Sequence, residues 1–275
     1  MRAVLLAAGL GSRLGLDRPK VLLEVGGRTL LERHLHCLAA CGVAEAVIGV
    51  GHQGERIAAA VARLSPPLPV RLVANPDYRD GSITTVWALR REIAAGGPVL
   101  LMDADVLYDR RLLDRLLQAP QADCCLLDRE LEAGEEPVKL CLRGGRPVEL
   151  RKRPEPGVRY DLCGESVGFF RLSEAAARRL VEIAGGYLAR GARHAPHEEA
   201  VRDLLRERPF GVAEVTGLPW IEIDFPEDAA RAERQVLPRL VAVERPPVNR
   251  TRLGWGRGEG ELLDDLQGPF IPEEE

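Results

Sequence analysis

Val4-Leu5-Leu6-Ala7-Ala8-Gly9-Leu10-Gly11-Ser12-Arg13, with Arg18-Pro19-Lys20 following in the same loop, is the stretch on which the chain turns. Its apolar start has no polar face and reads as a buried strand. It runs into glycines, which let a backbone bend sharply and come close to a ligand. Backbone N–H groups ahead of a helix, with an arginine and a lysine nearby, make a site for a polyanion such as a triphosphate. The spacing is not a Walker P-loop, because Gly-Lys-Ser/Thr is missing, and it is not the dinucleotide fingerprint, because the third glycine is misplaced.

Outward from that stretch, strand and helix alternate. Residues 2–7, 46–50, 70–74 and 98–102 read as strands. Helices are expected from Thr29 to Cys41, from Glu55 to Leu64 and from Thr84 to Ala94, with Thr29 and Glu32 spaced as a capping box. Alternation of this kind predicts a mostly parallel sheet with crossover helices on both faces. Ligands of such sheets sit outside the carboxyl ends of the strands. The glycine loop, the Asn75–Ser82 loop and Asp103-Ala104-Asp105 should therefore share one rim.

Past residue 109 the regularity breaks. A helix over 109–117, a strand over 123–127, a hairpin within 137–151 and a strand over 166–172 are expected. Ser173 should cap a helix that Gly185-Gly186 stops near Ala184, and Glu198–Arg206 should be helical. Short strands over 212–215 and 220–224 precede a helix over 226–240. We read 1–245 as one domain, with a donor-binding half of about 1–130 and an acceptor-binding part of about 131–215. Residues 246–275, rich in Pro, Gly and acid, read as a flexible or docking tail.

The 275 residues carry 38 Lys+Arg against 42 Asp+Glu, a formal net charge of −4, with the arginines scattered among carboxylates; no nucleic-acid face is expected. No apolar run is long enough to span a membrane, and the first residues do not end in a small-residue cleavage site. None of the six cysteines forms a Cys-x-x-Cys pair, and several sit on apolar patterns, so buried free thiols are expected rather than disulfides or metal ligands. Together these features imply a cytoplasmic protein. The five histidines show no zinc spacing and are expected to be structural or on the surface, and no Ser-His-Asp relay is visible.

Asp103 and Asp105, one residue apart after a buried strand, can offer oxygen to Mg²⁺ while a triphosphate supplies further ligands; an acidic helix cap is the plainer alternative. Glu222 and Asp224 fall on one face of a late strand. Asn75, Ser82 and Thr84 lie where a polar loop opens a helix and could read a base or a ribose, although turn chemistry and an N-cap explain them as well.

The run from Leu5 to Lys20 resembles the signature of the nucleotidyltransferase superfamily, whose members carry Leu-Ala-Ala-Gly-x-Gly-x-Arg and then Pro-Lys. The resemblance spans roughly residues 1–240. With its compact domain and Trp220-Ile-Glu-Ile-Asp224 ending, the chain is most similar to the phosphocholine, 2-aminoethylphosphonate and inositol-phosphate cytidylyltransferases. The resemblance implies an α/β fold, Rossmann-like and GT-A-like: a mixed, mostly parallel central sheet flanked by helices, with a small acceptor-binding β-hairpin region. It implies that CTP, or another NTP, is bound by Leu6, Ala7, Ala8, Gly9, Gly11, Ser12, Asn75, Ser82, Thr84 and Asp103. Arg13 would hold the β- and γ-phosphates, and Lys20 would bridge the α-phosphate and the incoming group. Mg²⁺ would sit on Asp105 and Asp224. A small acceptor bearing a phosphate or phosphonate would meet Lys139, Lys152, Glu165, Gly168, Glu198 and Glu222, and pyrophosphate would leave. Ser82 departs from the pattern, since these relatives often have Asn there. Sugar-1-phosphate uridylyl or guanylyl transfer and a non-catalytic nucleotide-binding regulator are the alternatives. A GT-A glycosyltransferase would use Asp-x-Asp without needing Arg13 and Lys20. The sequence leaves monomer and homodimer open.

Overall fold

The computed structural model describes residues 1–15, 17–131 and 136–241, and of Ser12 the backbone alone. The tail expected over 246–275 lies outside the described residues. In chain order the elements are β1 (Arg2–Ala7), β2 (Glu24–Val25), β3 (Arg28–Thr29), α1 (Leu30–Ala40), β4 (Glu45–Val50), α2 (Gly54–Leu64), β5 (Val70–Ala74), α3 (Ile83–Ala88), α4 (Arg90–Ile93), β6 (Val99–Asp103) and β7 (Val106–Tyr108). There follow α5 (Arg111–Gln118), β8 (Cys124–Asp128), β9 (Lys139–Arg143), β10 (Arg146–Arg151), β11 (Leu162–Leu172), α6 (Glu174–Ala189), α7 (His197–Glu207), β12 (Gly211–Glu214), β13 (Trp220–Glu222) and α8 (Pro226–Arg231).

The main sheet runs β10-β9-β11-β6-β1-β4-β5, with β8 paired to β11 and β12 paired to β8. β6, β1, β4 and β5 are parallel, as the alternation predicts. β11 runs the other way and pairs with β6, β8 and β9 in turn. Two strand residues in succession face opposite sides of a sheet, and the core divides accordingly. Leu5, Ile48, Met102 and Phe169 pack on the side of α1, α2 and α5. Their neighbours Val4, Val47, Leu101 and Phe170 pack on the side of α3, α6 and α7. Each such side chain is fully buried and contributes roughly 1.5–3 kcal/mol relative to exposure. Burial on both faces is why these strands read as unbroken apolar runs.

Local signals set the element ends. Thr29 Oγ accepts from the Glu32 N–H at 3.1 Å and opens α1. Ser173 Oγ does the same for the Ala176 N–H and opens α6. Three expectations are corrected. Gly185-Gly186 does not stop α6, which runs on to Ala189; a β-carbon at Gly185 would lie 2.8 Å from the Trp87 ring, so this glycine serves close packing. The last helix is not continuous to 240. α8 ends at Arg231, a π turn spans Ala232–Val236 and a 3₁₀ turn spans Leu237–Arg239, where Pro238 has no N–H for an α ladder. Finally, Cys141 and Cys163 are not free thiols. They stand directly opposite each other in the β9/β11 register, Cα atoms 4.0 Å apart, and form a disulfide. Without the register, nothing in their spacing could show it. Cys37, Cys41, Cys124 and Cys125 are free. Among the described residues, no helix is long and apolar enough to cross a membrane.

Candidate active site

The rim at the carboxyl ends of β1 and β6 carries the site. After β1 the chain turns through Gly9–Gly11, where the Leu14 N–H reaches the Gly11 carbonyl at 3.1 Å. A second short turn, closed from Leu22 N–H to Pro19 carbonyl at 2.9 Å, fixes the backbone of Lys20. The Lys20 ammonium then projects across the rim. It donates to Asp105 at 2.9 Å and also to Asp224. Arg13 donates to Asp224 at 3.2 Å and to Glu136 at 2.7 Å, with its guanidinium 5.6 Å from the centre of the Phe225 ring.

Asp105 and Asp224 are brought together by a small ladder of their own. β13 pairs antiparallel with β7, and the Ile223 N–H donates to the Asp105 carbonyl at 3.0 Å. Asp228, at the start of α8, accepts from the N–H groups of Asp224 and Phe225, which locks the approach to that helix. Glu222 completes the group. Carboxylate oxygens of Asp105, Glu222 and Asp224 all lie within 4.8 Å of one another.

Three carboxylates so close repel one another. Burial, together with Asp105, Asp224 and Asp103, holds the Glu222 carboxyl well above the usual range. Burial alone would lower Lys20, but Asp105 and Asp224 overcome it and hold the ammonium above its usual value. An all-oxygen anionic donor set fits a hard divalent cation such as Mg²⁺, and here the Lys20 ammonium bridges Asp105 and Asp224.

Two clefts meet at this group. The first, of about 340 Å³, is lined by Leu6, Ala7, Ala8, Gly9 and Gly11 on one side and by Tyr78, Ser82 and Thr85 on another, with Asp103, His197 and Glu198 between. The second, also of about 340 Å³, shares Glu222 and Asp224 with the first and extends past Asp128, Glu136, Glu165 and Trp220. Trp220 donates its indole N–H to Asp128 at 2.7 Å.

Other residues singled out in the sequence fall elsewhere. Asn75 and Thr84 are buried and do not line the first cleft: the Asn75 amide donates to Thr84 and Thr85 at 3.0 Å each, and Thr84 donates to the Asp77 and Gly81 carbonyls. They brace the loop. Ser82 lines the cleft but does not cap α3. Lys139 and Lys152 line neither cleft. Lys139 donates to the Lys152 carbonyl at 2.9 Å, and Lys152 donates to the same Glu136 oxygen that Arg13 uses, at 2.7 Å. Gly168, in the middle of β11, has φ +77° and lies against Asp103. Glu198 faces the first cleft rather than the second.

Sequence reasoning missed His197. It is buried, yet it lines the cleft. Nδ1 is 3.2 Å from Ser82 Oγ and 3.0 Å from Glu198, and Nε2 is 3.6 Å from Asp103. Burial pushes the imidazole down, but Glu198 and Asp103 outweigh it and raise it to about 9. Glu198 is held low by that imidazolium against its own burial, and Asp103 is pushed up by burial and by the charges of Glu198 and Asp105. No spacing announces this cluster, because Ser82, Asp103 and His197 come from three distant elements. His34, expected to be structural or on the surface, is structural: it is wholly buried, and its Nε2 lies 3.1 Å from the carbonyl of Ala104, the residue between the two aspartates.

Comparison with known proteins agrees with this architecture. The bifunctional IPC transferase and DIPP synthase of Rubrobacter xylanophilus is 35% identical over 253 residues, covering 90% of this chain and 55% of the relative. The CMP-5′-(3-aminopropyl)phosphonate synthase of Streptomyces rubellomurinus is 32% identical over 248 residues, covering 86% of this chain and 39% of the relative. The chain thus spans about half or less of the length of these two relatives. The fold is that of the CTP:phosphocholine cytidylyltransferase of Streptococcus pneumoniae, with a TM-score of 0.66 at 21% identity over 84% of this chain and 97% of that one. The family described as the MobA-like NTP transferase domain matches residues 3–160, which hold the glycine loop, Lys20 and Asp105, and it is to this nucleotidyltransferase family that the chain belongs.

Proposed function

We propose that the chain is a Mg²⁺-dependent cytidylyltransferase. It moves CMP from CTP to a small phosphorylated alcohol or an alkylphosphonate and releases pyrophosphate. The observation that carries this reading is the position of Lys20, at the end of the glycine loop and between Asp105 and Asp224. One cation there can face both the α-phosphate of a nucleotide in the first cleft and an anion arriving from the second.

The reaction needs no protein nucleophile. A phosphate or phosphonate oxygen of the acceptor attacks the α-phosphorus, a new P–O bond forms, and the bond to pyrophosphate breaks. What the protein supplies is alignment and charge neutralisation. The glycine-loop backbone and Arg13 take the leaving β- and γ-phosphates. Lys20 neutralises the crowded charge where the two phosphorus-bearing groups meet. Asp105, Glu222 and Asp224 would hold Mg²⁺, which supplies Lewis-acid polarisation of the phosphate when bound.

Cytidine as the base is supported by the CMP product in the name of the Streptomyces relative. An acceptor with an ammonium or several hydroxyls is supported by the carboxylates of the second cleft, Asp128, Glu136 and Glu165. That chemistry belongs where nucleoside triphosphates are kept, in the cytoplasm, and the Cys141–Cys163 bridge is the feature that runs against such a setting.

The test is pyrophosphate release with each of CTP, UTP, GTP and ATP against a panel of aminoalkyl phosphonates, phosphorylated amino alcohols and inositol phosphates. CTP with one acceptor class should dominate. Preference for UTP or GTP with a sugar 1-phosphate would overturn the reading, and so would the absence of release with every pair.

A further inference from the structure

The second cleft is a trough with two unlike ends. One side is β13. At the near end β13 delivers Glu222 and, just beyond it, Asp224, where Lys20 and Arg13 stand. At the far end lies the turn that precedes β13, Gly217-Leu218-Pro219, pinned by the Leu218 N–H on the Val215 carbonyl at 2.9 Å. α8 and the π and 3₁₀ turns after it run back along the trough. They leave Phe225 beside the near end and bring Arg239 to the far one, where its guanidinium donates to the Gly217 carbonyl at 3.2 Å.

Charge is divided along the same line. Asp128, Glu130, Glu136 and Glu165 line the trough together with the carboxylates of the near end. Arg231 and Arg239 are the cations among its described lining residues. Arg231 lies 3.5 Å from Asp228, which also holds the Asp224 and Phe225 N–H groups. Arg239 is different. It is exposed, it meets a neutral carbonyl, and among the described residues no carboxylate pairs with it. A guanidinium presents five N–H donors in a planar fork that matches carboxylate and phosphate oxygens, and here one contact uses them. The acidic lining repels a second anion everywhere in the trough except at this end. The trough is also as roomy as the first cleft, at about 340 Å³ each, so an acceptor held at Lys20 has space to extend to Arg239.

We propose that Arg239 reads a second anionic group on the acceptor, a carboxylate or a further phosphate, at the end remote from the attacking oxygen. The acceptor is then anionic at both ends. One end meets Lys20 and the other meets the guanidinium across the length of β13. Arg239 is a specificity residue that takes no part in the transfer itself. This deepens the nucleotide-transfer reading above and rests on it.

The experiment measures pyrophosphate release by the full chain, with Mg²⁺ and the triphosphate that serves best, for matched acceptors that differ by one anion. The carboxylate arm sets 2-amino-4-phosphonobutyrate and 2-amino-5-phosphonopentanoate each against the aminoalkylphosphonate left when the carboxyl group is removed. The phosphate arm sets inositol 1,4-bisphosphate against inositol 1-phosphate. In one arm the doubly anionic member should be favoured roughly tenfold or more in kcat/KM, through KM, as for a charge-assisted hydrogen bond. The arm that shows it tells carboxylate from phosphate. Arg239→Gln should bring that ratio close to one, and Arg239→Lys should restore part of it. Ratios near or below one in both arms overturn this inference and leave the transfer reading standing. A ratio that survives in Arg239→Gln overturns the role of Arg239. Release with no acceptor and no triphosphate overturns the proposed function and this inference together. The wild-type ratios decide the matter even if neither variant folds.

Discussion

Gly168 lies directly against Asp103: a β-carbon on Gly168 would come 2.1 Å from an Asp103 carboxylate oxygen. Gly168 is a left-handed residue within an eleven-residue strand, and it lies in the span from Ser166 to Phe170 over which the pairing with β8 shifts. Gly168→Ala must strain the backbone, displace Asp103, or both. We expect a loss of about 1–3 kcal/mol in stability and a rise of tenfold or more in the KM for the nucleotide, read by thermal melting and by pyrophosphate release. An unchanged KM would detach Asp103 from nucleotide binding.

Lys20 is the group on which both halves of the proposed reaction converge. Lys20→Ala should lower kcat about 10²–10³-fold, the range for removal of one transition-state donor. The fold should survive, because the side chain is anchored by a surface turn and by carboxylates rather than by the core. Near-normal turnover in a folded variant would remove Lys20 from the chemistry.

The three-carboxylate group makes a prediction independent of turnover. Addition of Mg²⁺ should raise the melting temperature by an amount that grows with the logarithm of its concentration above the Kd, because the cation offsets the burial and the mutual repulsion that hold Glu222 high. Asp224→Asn should abolish that shift, and chelation should stop pyrophosphate release. A melting temperature indifferent to Mg²⁺ in both proteins would argue that the group holds no metal ion and is neutralised by Lys20 and Arg13 alone.

Much of this was legible in the sequence. The glycine loop, Lys20, Asp105 and Asp224 all lie at strand ends or in the loops that leave them, and a parallel sheet sends such ends to one rim whatever the details of packing. What could not be read depended on register or on close contact between distant elements. Cys141 and Cys163 are opposed only because β9 and β11 pair in one register. Gly185 looked like a stop because a glycine in a helix usually costs stability, and here the Trp87 ring requires it. His197 carries no spacing signature, because its partners arrive from α3's start and from β6. Asn75 and Thr84 are polar residues satisfied by each other, so polarity alone pointed to a ligand where the loop needed only bracing.

Two buried histidines tilt stability in opposite directions with pH. His34 is pushed by burial down to about 4, against 6.5 when free, so its contribution is present above pH 6.5 and is lost as pH falls toward 4. His197 is raised to about 9 against 6.5, so its contribution is present below pH 6.5 and is lost as pH rises through 9. Each is worth at most about 3 kcal/mol. In melts taken from pH 4 to 10, His34→Gln should differ from wild type with a slope confined to the acid side, and His197→Gln with a slope confined to the alkaline side. Parallel curves for wild type and both variants would contradict these ionisation states.

The carboxylate that meets Lys20 and Arg13, Asp224, comes from just past a strand made late. β13 reaches the rim only by pairing with β7, so Asp224 joins Asp105 after everything through β12 has been synthesised. A ribosome that has just finished β11 has built the loop, Lys20 and the first aspartate, and the nascent chain still lacks the second.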